Sequence, residues 1–173
     1  SNLLKQMVST TGGINSEEYD YDDLHRLKNS YRAFYNGSSP ISINYDYDKV
    51  GNFKYKSDYS SQSMSAYGYH SSGTRNTGLG GPNAVQSVAL KAGGTASYTY
   101  DLNGNMKSAP NQSINYNEFN KPIKITNTSS NVVSDFSYGA DLMRYKQVKS
   151  GLPGGKTETT YYVEKLFEKV ETR

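Results

Sequence analysis

A seven-residue phrase recurs along this chain and constrains its fold more than any other feature. The phrase consists of an aromatic residue, an acid or amide, two variable residues, a residue suited to a turn, a polar residue and an apolar residue. Clear copies begin at Tyr21, Tyr47 and Tyr100, and weaker copies begin at Tyr116 and Tyr138. Each tyrosine follows another aromatic or aliphatic residue two positions earlier. Because residues two apart lie on the same face of a strand, this alternation predicts a β-strand leading into each phrase.

The second and fifth residues of the phrase predict a tight turn. The second residues of four copies are Asp22, Asp48, Asp101 and Asn117. Such side chains accept a hydrogen bond from the backbone two residues further on, which starts a turn. Gly51 and Gly104 stand fifth, where glycine adopts a positive φ without steric cost, and His25 and Asn120 occupy the same place. Each phrase is therefore predicted to be a β-hairpin, with Gly104 at positive φ.

The composition agrees with a strand-and-turn protein. The chain has 17 Tyr but only 30 Leu, Ile, Val and Phe residues in 173, so tyrosine rings must supply much of the packing. We predict an all-β fold of stacked antiparallel β-hairpins. The chain has no Cys, which excludes disulfides and thiolate metal sites. No apolar run approaches about 18 residues, so membrane insertion is not expected.

The phrases also predict the organisation of the chain. Residues 1–18 are interpreted as a lead-in, with a cloning scar at residues 1–2, and residues 19–173 as the hairpin segment. Asn36-Gly37 indicates a two-residue hairpin loop. From Val163 the apolar residues fall at helical spacing, but the β-branched and aromatic run before them favours strand, turn, strand.

Charge argues against a nucleic-acid partner. The 19 cationic and 16 anionic residues give a net charge of +3 and are interspersed along the chain. Nucleic-acid binders usually concentrate positive charge on one face.

Motifs that could carry chemistry are each better explained by structure. The segment from Asp46 to Gly51 imitates a calcium loop, but Val50 stands where a ligand is needed. The segment 151–157 is one residue short of a phosphate-binding loop, and a strand-like sequence follows it. His25 and His70 are the only histidines, too few for an ordinary zinc site. We predict no catalytic, cofactor or metal site, and no enzymatic activity.

The phrases resemble the YD repeats of the bacterial Rhs family. The segment 98–106, Tyr-Thr-Tyr-Asp-Leu-Asn-Gly-Asn-Met, is similar to the family repeat with few departures. The segments 81–88, 138–147 and 161–170 resemble three further Rhs segments, although Leu142 stands where Gly is usual and Glu164-Lys165 replace small turn residues. The resemblance runs from about Tyr19 to Val170.

The resemblance implies a non-catalytic role in a secreted or cell-surface toxin. Rhs and toxin-complex proteins wind such hairpins into a β-sheet shell that encloses a toxic C-terminal domain, and animal teneurins use a similar shell. The resemblance thus implies that the antiparallel hairpins of this chain form a curved or spiralling sheet, as a segment of a larger shell. The implied partners are the remaining repeats and the toxin domain of a longer chain. The self-cleavage motif of the family does not occur in this sequence. The alternative is a carbohydrate- or cell-surface-binding module, in which exposed tyrosines would stack on sugar rings.

The ends of the hairpin segment predict self-association. Strand edges without a neighbour carry rows of unpaired N–H and C=O groups, which template pairing with another chain. We expect the contact at a terminal strand such as Thr159 to Val163, or at the hairpin from Tyr19 to Leu27.

Overall fold

The computed structural model describes residues 4–10, 13–34, 36–63, 65–70, 78, 80–163 and 167–173. In these residues the protein forms sixteen β-strands, a single 3₁₀ turn at Pro153–Gly155 and no α-helix. All strand pairs within the two larger sheets are antiparallel. The predicted all-β architecture of antiparallel hairpins is confirmed.

The chain divides into two compact units, Ser1–Gly68 with Ser87–Ala96, and Tyr69–Gln86 with Ser97–Arg173. The first unit contains a five-stranded sheet in which the strands pair in chain order. Its strands are β1 (Lys5–Thr10), β2 (Gly13–Tyr21), β3 (Leu27–Ala33), β4 (Ile41–Tyr47) and β5 (Phe53–Lys56). Part of the predicted lead-in, residues 5–10, is thus the outermost strand of this sheet.

Two further sheets complete the structure. A three-stranded sheet is formed by β6 (Tyr67–Tyr69), β7 (Val85–Ala89) and β8 (Thr95–Ser97). The second unit contains an eight-stranded sheet, again paired in chain order. Its strands are β9 (Thr99–Tyr100), β10 (Met106–Ala109), β11 (Gln112–Tyr116), β12 (Pro122–Asn127), β13 (Val133–Tyr138), β14 (Arg144–Leu152), β15 (Lys156–Val163) and β16 (Phe167–Thr172).

Two local expectations have different outcomes. The Asn36-Gly37 hairpin forms between β3 and β4, with Gly37 at φ 74°, but its loop spans residues 34–40 rather than two residues. Pro40 has no N–H to contribute to the ladder, so β4 begins only at Ile41. The two predicted C-terminal strands are confirmed by the pairing of β15 with β16, and the predicted turn between them lies outside the described residues.

The sheets bury very little. Among described residues the buried apolar side chains are Ala66, Val88, Ala96 and Tyr100, whereas many large apolar side chains are exposed. Hydrogen-bonded pairing between strands, rather than a deep core, therefore accounts for most of the order in these sheets.

The free strand edges are not where the sequence placed them. The strand containing Thr159 to Val163 is β15, which pairs with β14 on one side and β16 on the other. The hairpin from Tyr19 to Leu27 is likewise internal, because β2 pairs with β1 and β3. The expectation was wrong because one further strand lies outside each of these elements. At these ends of the two larger sheets the outermost strands are β1 and β16, and β5 and β9 lie at the opposite ends.

Candidate functional site

The five phrases fold into one recurring turn, which we call the repeat turn. In each copy the tyrosine pairs with the seventh residue of its phrase, so five residues lie between the two strands. These pairs are Tyr21 with Leu27, Tyr47 with Phe53, Tyr100 with Met106, Tyr116 with Pro122 and Tyr138 with Arg144. We call the seventh residue the return residue. A shift of register accompanies all five pairs, as expected of a bulged hairpin loop.

The second residue of the phrase caps the turn from inside. In four copies one oxygen of its side chain accepts the backbone N–H groups two and four residues further on, at 2.8–3.0 Å. In the third copy, for example, Asp101 Oδ1 accepts from Asn103 N at 2.9 Å and from Asn105 N at 2.8 Å. The Asn117 amide oxygen makes the same pair of bonds. The cap therefore needs an oxygen at this place rather than a charge.

The fifth residue of the phrase adopts the left-handed conformation in all five copies. Gly104 has a φ of 87°, so the predicted positive φ is confirmed, and Gly51 has a φ of 94°. The other copies place His25, Asn120 and Leu142 at φ values of 58–61°. In each copy the fifth residue also donates its N–H to the backbone carbonyl of the second. A side chain at this conformation costs about 1 kcal/mol or more, which is why glycine suits the position.

The fifth copy departs from the others and compensates. Gly139 is the second residue of this phrase and has no side chain to cap the turn. Its N–H still donates to the Met143 carbonyl, and its own carbonyl still accepts the N–H of Leu142, as at the second residue of the other copies. Asp141 supplies an acceptor instead, and its Oδ1 takes the N–H of Met143 at 3.0 Å. A Cβ at Gly139 would lie 2.8 Å from this Oδ1, so glycine makes room for the displaced carboxylate.

The hydroxyl of the repeat tyrosine links each repeat to the one before it. Tyr47 donates to the carbonyl of Leu27 at 2.9 Å, and Leu27 is the return residue of the preceding repeat. In the same way, Tyr116 donates to Met106 O at 3.0 Å and Tyr138 to Pro122 O at 2.7 Å. We call these bonds the tyrosine links. In three pairs of neighbouring repeats, the tyrosine hydroxyl of the later repeat is thus bonded to the return-residue carbonyl of the earlier one.

Tyr100 makes an equivalent link although no clear phrase precedes it. Its hydroxyl donates to Val85 O at 2.6 Å. Val85 begins β7 directly after a turn closed by the bond from Ala84 N to Gly81 O. Val85 therefore occupies the place of a return residue after a degenerate turn, within the segment 81–88 that the resemblance singled out.

The linked tyrosines are set into the protein. Tyr100 is 7% exposed, and Tyr47, Tyr116 and Tyr138 are half-buried. Burial raises the pKa of all four hydroxyls above the ordinary value. These groups therefore stay protonated and can donate across the physiological pH range.

The tyrosine links were missed in the sequence, which predicted only adjacent rings. One signal was available. All five copies carry Tyr rather than Phe at this place, although the chain contains five Phe residues. A ring needed only for packing could be either, so the uniform choice of Tyr indicates a use for the hydroxyl.

Neighbouring turns also contact each other through the sixth residue of the phrase. Arg26 bonds Asp22 Oδ2 at 2.7 Å in its own turn and donates to Asp48 O at 2.9 Å in the next, with its guanidinium 4.7 Å from the centre of the Tyr47 ring. Asn105 bonds Asp101 Oδ2 at 2.9 Å and Asn120 Oδ1 at 2.7 Å. Turns within each sheet are therefore joined side by side.

The capping carboxylates have lowered pKa values. At Asp22 the largest cause is the backbone N–H of Arg26. At Asp48 and Asp101 burial raises the pKa, but hydrogen bonds from the turn, chiefly from Asn52 and Asn105, outweigh it and lower the pKa. All three carboxylates are thus ionised at neutral pH and committed to their own turns.

The other candidate motifs have structural roles. Asp48 caps its turn and Asp46 pairs with Lys54 at 3.0 Å. The loop at 151–157 enters strand β15 rather than a helix. Within the described ranges no group of three or more His, Cys, Asp or Glu side chains could hold a metal ion. The same residues include no helix long and apolar enough to cross a membrane.

Comparisons with known proteins found similarity only among solved structures. No family model and no curated protein matches the chain. The crystal structure of TcdB2-TccC3 has a TM-score of 0.44 and 14% identity, covering 92% of this chain and 12% of that chain. That of TcdB2-TccC3-Cdc42 has a TM-score of 0.43 and 14% identity, covering 92% of this chain and 11% of that chain. The Photorhabdus luminescens Tc holotoxin pore, with a TccC3 mutation, has a TM-score of 0.39 and 12% identity over 86% of this chain and 11% of that chain.

This chain thus spans about a ninth of the length of those structures.

Proposed function

We propose that this chain is a non-catalytic wall segment of an Rhs-type YD-repeat shell, which encloses or scaffolds a toxin domain in a longer, secreted or cell-surface protein. The observation that carries the proposal is the tyrosine link. A hydroxyl of each linked repeat bonds the return residue of the repeat before it, so the repeats are built to continue one another.

The fate of the polar groups supports a structural role. The second residue of the phrase, which offers the most regular row of carboxylates in the sequence, is used to cap turns. The hydroxyls of four repeat tyrosines are used to join repeats. A wall needs groups committed to neighbouring repeats, whereas a catalytic site needs groups free to meet a substrate.

The carbohydrate-binding alternative has less support. Sugar binding by the repeat tyrosines requires rings that face solvent in a row. Tyr100 is buried and Tyr21, Tyr47 and Tyr116 are half-buried. Burial of this kind favours the wall over the binding module.

Limited proteolysis of the full gene product that contains this chain tests the proposal. The variant combines Tyr47→Phe, Tyr116→Phe and Tyr138→Phe, which keep the rings and remove three tyrosine links. If the chain walls a compartment, the remaining part of the product resists protease in the unaltered protein and becomes sensitive in the triple variant.

Tyr145→Phe is the matched control, because Tyr145 is 49% exposed and its hydroxyl makes no hydrogen bond to any residue that the structure describes. The control is expected to protect the enclosed part as fully as the unaltered protein. Equal digestion of that part with and without the links would contradict the wall function. Autocleavage or hydrolysis by the 173-residue chain, abolished by one Asp or Ser substitution, would contradict the non-catalytic role.

A further inference from the structure

The chain contains two Asn-Gly pairs, Asn36-Gly37 and Asn103-Gly104. In such a pair the backbone nitrogen of the glycine can attack the side-chain amide carbon of the asparagine, because glycine has no Cβ to obstruct the approach. The attack requires the asparagine side chain to be folded toward that nitrogen, with the two reacting atoms about 3–3.5 Å apart. The two pairs differ in how the structure holds the asparagine amide.

The side chain of Asn36 is folded over the peptide group that follows it. Its Oδ1 accepts the backbone N–H of Ser38 at 3.1 Å. This hydrogen bond closes a ring that contains the backbone nitrogen of Gly37, so the amide carbon of Asn36 is held beside the nitrogen that would attack it. A donor on Oδ1 also stabilises the negative charge that develops on this oxygen during the attack.

The backbone nitrogen of Gly37 is only weakly engaged elsewhere. Its N–H donates to Phe34 O at 3.3 Å, which is longer than the usual range of about 2.7–3.2 Å for such a bond. Asn36 and Gly37 are both exposed, so water and hydroxide reach the pair. The structure thus places a reactive amide, its nucleophile and water together in the loop at 34–40.

Asn103 is held in the opposite way. Its side-chain nitrogen donates to Asn120 Oδ1 at 3.0 Å, so the amide is turned toward the next repeat turn. The N–H of Gly104 donates to Asp101 O at 3.1 Å, as part of its own turn. Attack by the Gly104 nitrogen on the Asn103 amide therefore costs both of these bonds. Asn103 and Gly104 are exposed as well, so hydrogen bonding rather than access of water distinguishes the two pairs.

We infer that Asn36 is a spontaneous modification site, at which water converts the asparagine to aspartate and isoaspartate through a cyclic imide, while the repeat turn preserves Asn103. The Gly37 nitrogen forms a bond to Cγ of Asn36, and the bond from Cγ to the side-chain NH₂ breaks. The proton released from the Gly37 nitrogen leaves with that NH₂ as ammonia. The inference does not rest on the wall function, because it concerns the chemistry of one loop.

Water then opens the ring at either of its two carbonyl carbons. Opening at the side-chain carbonyl gives aspartate with the ordinary backbone. Opening at the backbone carbonyl gives isoaspartate, in which the chain runs through the side chain and is longer by one carbon. Both products add a negative charge to the loop, and neither step oxidises or reduces any group.

Incubation of the 173-residue chain at mildly alkaline pH, followed by peptide mapping with mass spectrometry, tests the inference. The mapping follows the replacement of NH₂ by OH at each asparagine and separates aspartate from isoaspartate. In the folded chain Asn36 is expected to convert about tenfold or more faster than Asn103, because the hydrogen bonds that hold Asn103 must first break. In urea that unfolds the chain, the two pairs are expected to convert at similar rates.

Two variants separate the roles of the two asparagines. Asn120→Gly removes the acceptor of the Asn103 amide and suits the φ of 58° at that position, so it is expected to speed conversion of Asn103 and leave that of Asn36 unchanged. Asn36→Gln moves the amide one carbon away from its nucleophile and is expected to stop conversion at that position.

Three results would overturn the inference. The first is an equal rate of conversion at the two pairs in the folded chain. The second is a difference that persists in urea, which would assign it to the neighbouring sequence instead of the fold. The third is conversion of Asn36 to aspartate without isoaspartate, which would mean direct hydrolysis of the side chain with no cyclic imide.

Discussion

The left-handed fifth residue is the most demanding single position of the repeat turn. Five residues of different kinds adopt it, and three of them carry a side chain: His25, Asn120 and Leu142. Leu142 is the most costly of these, since a bulky residue at positive φ has no local polar bond in return. In every copy the N–H of the fifth residue donates to the carbonyl of the second, so this backbone hydrogen bond stabilises the left-handed conformation whichever residue is present.

We predict that Gly104→Ala destabilises the protein by about 1 kcal/mol, because alanine must adopt a φ of 87°. Nothing lies within 4 Å of a Cβ built on Gly104, so the cost is one of backbone conformation rather than of steric overlap. The measurement is urea denaturation followed by circular dichroism.

Gly81→Ala is the matched control for this substitution. A Cβ at Gly81 also meets open space, but Gly81 is not at positive φ. We expect it to leave stability unchanged within about 0.5 kcal/mol. Equal losses from the two substitutions would show that the left-handed conformation does not determine the cost.

At the scale of the element, the repeat turn depends on pH through its capping carboxylates. The pKa values of Asp22, Asp48 and Asp101 are lowered in the folded protein. Their contribution to stability is therefore fully present above the unfolded pKa of about 4 and is lost as the pH falls through the lower, folded pKa. We predict a loss of stability confined to pH values below about 4, measured by thermal denaturation across a pH series.

Asp101→Asn should remove the contribution of Asp101 to that loss of stability in acid. Asn117, at the same position of the fourth copy, shows that an amide oxygen can cap the turn, and an amide does not titrate. Asp135→Asn is the comparison, since Asp135 caps no turn and pairs at 3.5 Å with the exposed Lys124. The prediction is wrong if both variants shift the acid transition equally.

The connections at the two ends of the strands differ in how much they vary in length. The repeat turns always contain five residues between strands. The connections at the opposite ends of the strands contain seven, two, five and three residues, at 34–40, 110–111, 128–132 and 153–155. A Gly-Ser insertion between Ser38 and Ser39 is thus expected to cost less than about 1 kcal/mol. The same insertion between Lys49 and Val50 breaks the Asp48 cap and is expected to cost about 2–4 kcal/mol, measured by urea denaturation. Equal costs would contradict the distinction between the repeat turns and the connections at the opposite ends of the strands.

The hairpins were predictable from the sequence because their signals are local. Asp101 and Gly104 lie within one phrase, and their chemistry specifies the turn without help from the rest of the chain. The tyrosine links could not be derived in this way. Their acceptors lie 10 to 20 residues earlier, in another hairpin, and depend on the register between hairpins.

At the scale of the whole molecule, the shallow core has a thermodynamic signature. Few apolar side chains of the described residues are buried, so unfolding is expected to uncover less apolar surface per residue than in a protein with a deep core. We predict a heat-capacity change of unfolding below the usual range of about 12–15 cal/mol/K per residue. Differential scanning calorimetry of the 173-residue chain, at a concentration where sedimentation shows a monomer, measures it. A value inside or above that range would mean that the faces of the sheets are covered in solution.

The tyrosine links have a fixed direction along the chain. The donor always belongs to the later repeat and the acceptor to the earlier one, as Tyr47 follows Leu27 and Tyr138 follows Pro122. Synthesis on the ribosome proceeds from the N-terminus. Each hydroxyl therefore leaves the exit tunnel after the carbonyl that it needs, and a nascent repeat can dock on its predecessor without waiting for any later part of the protein.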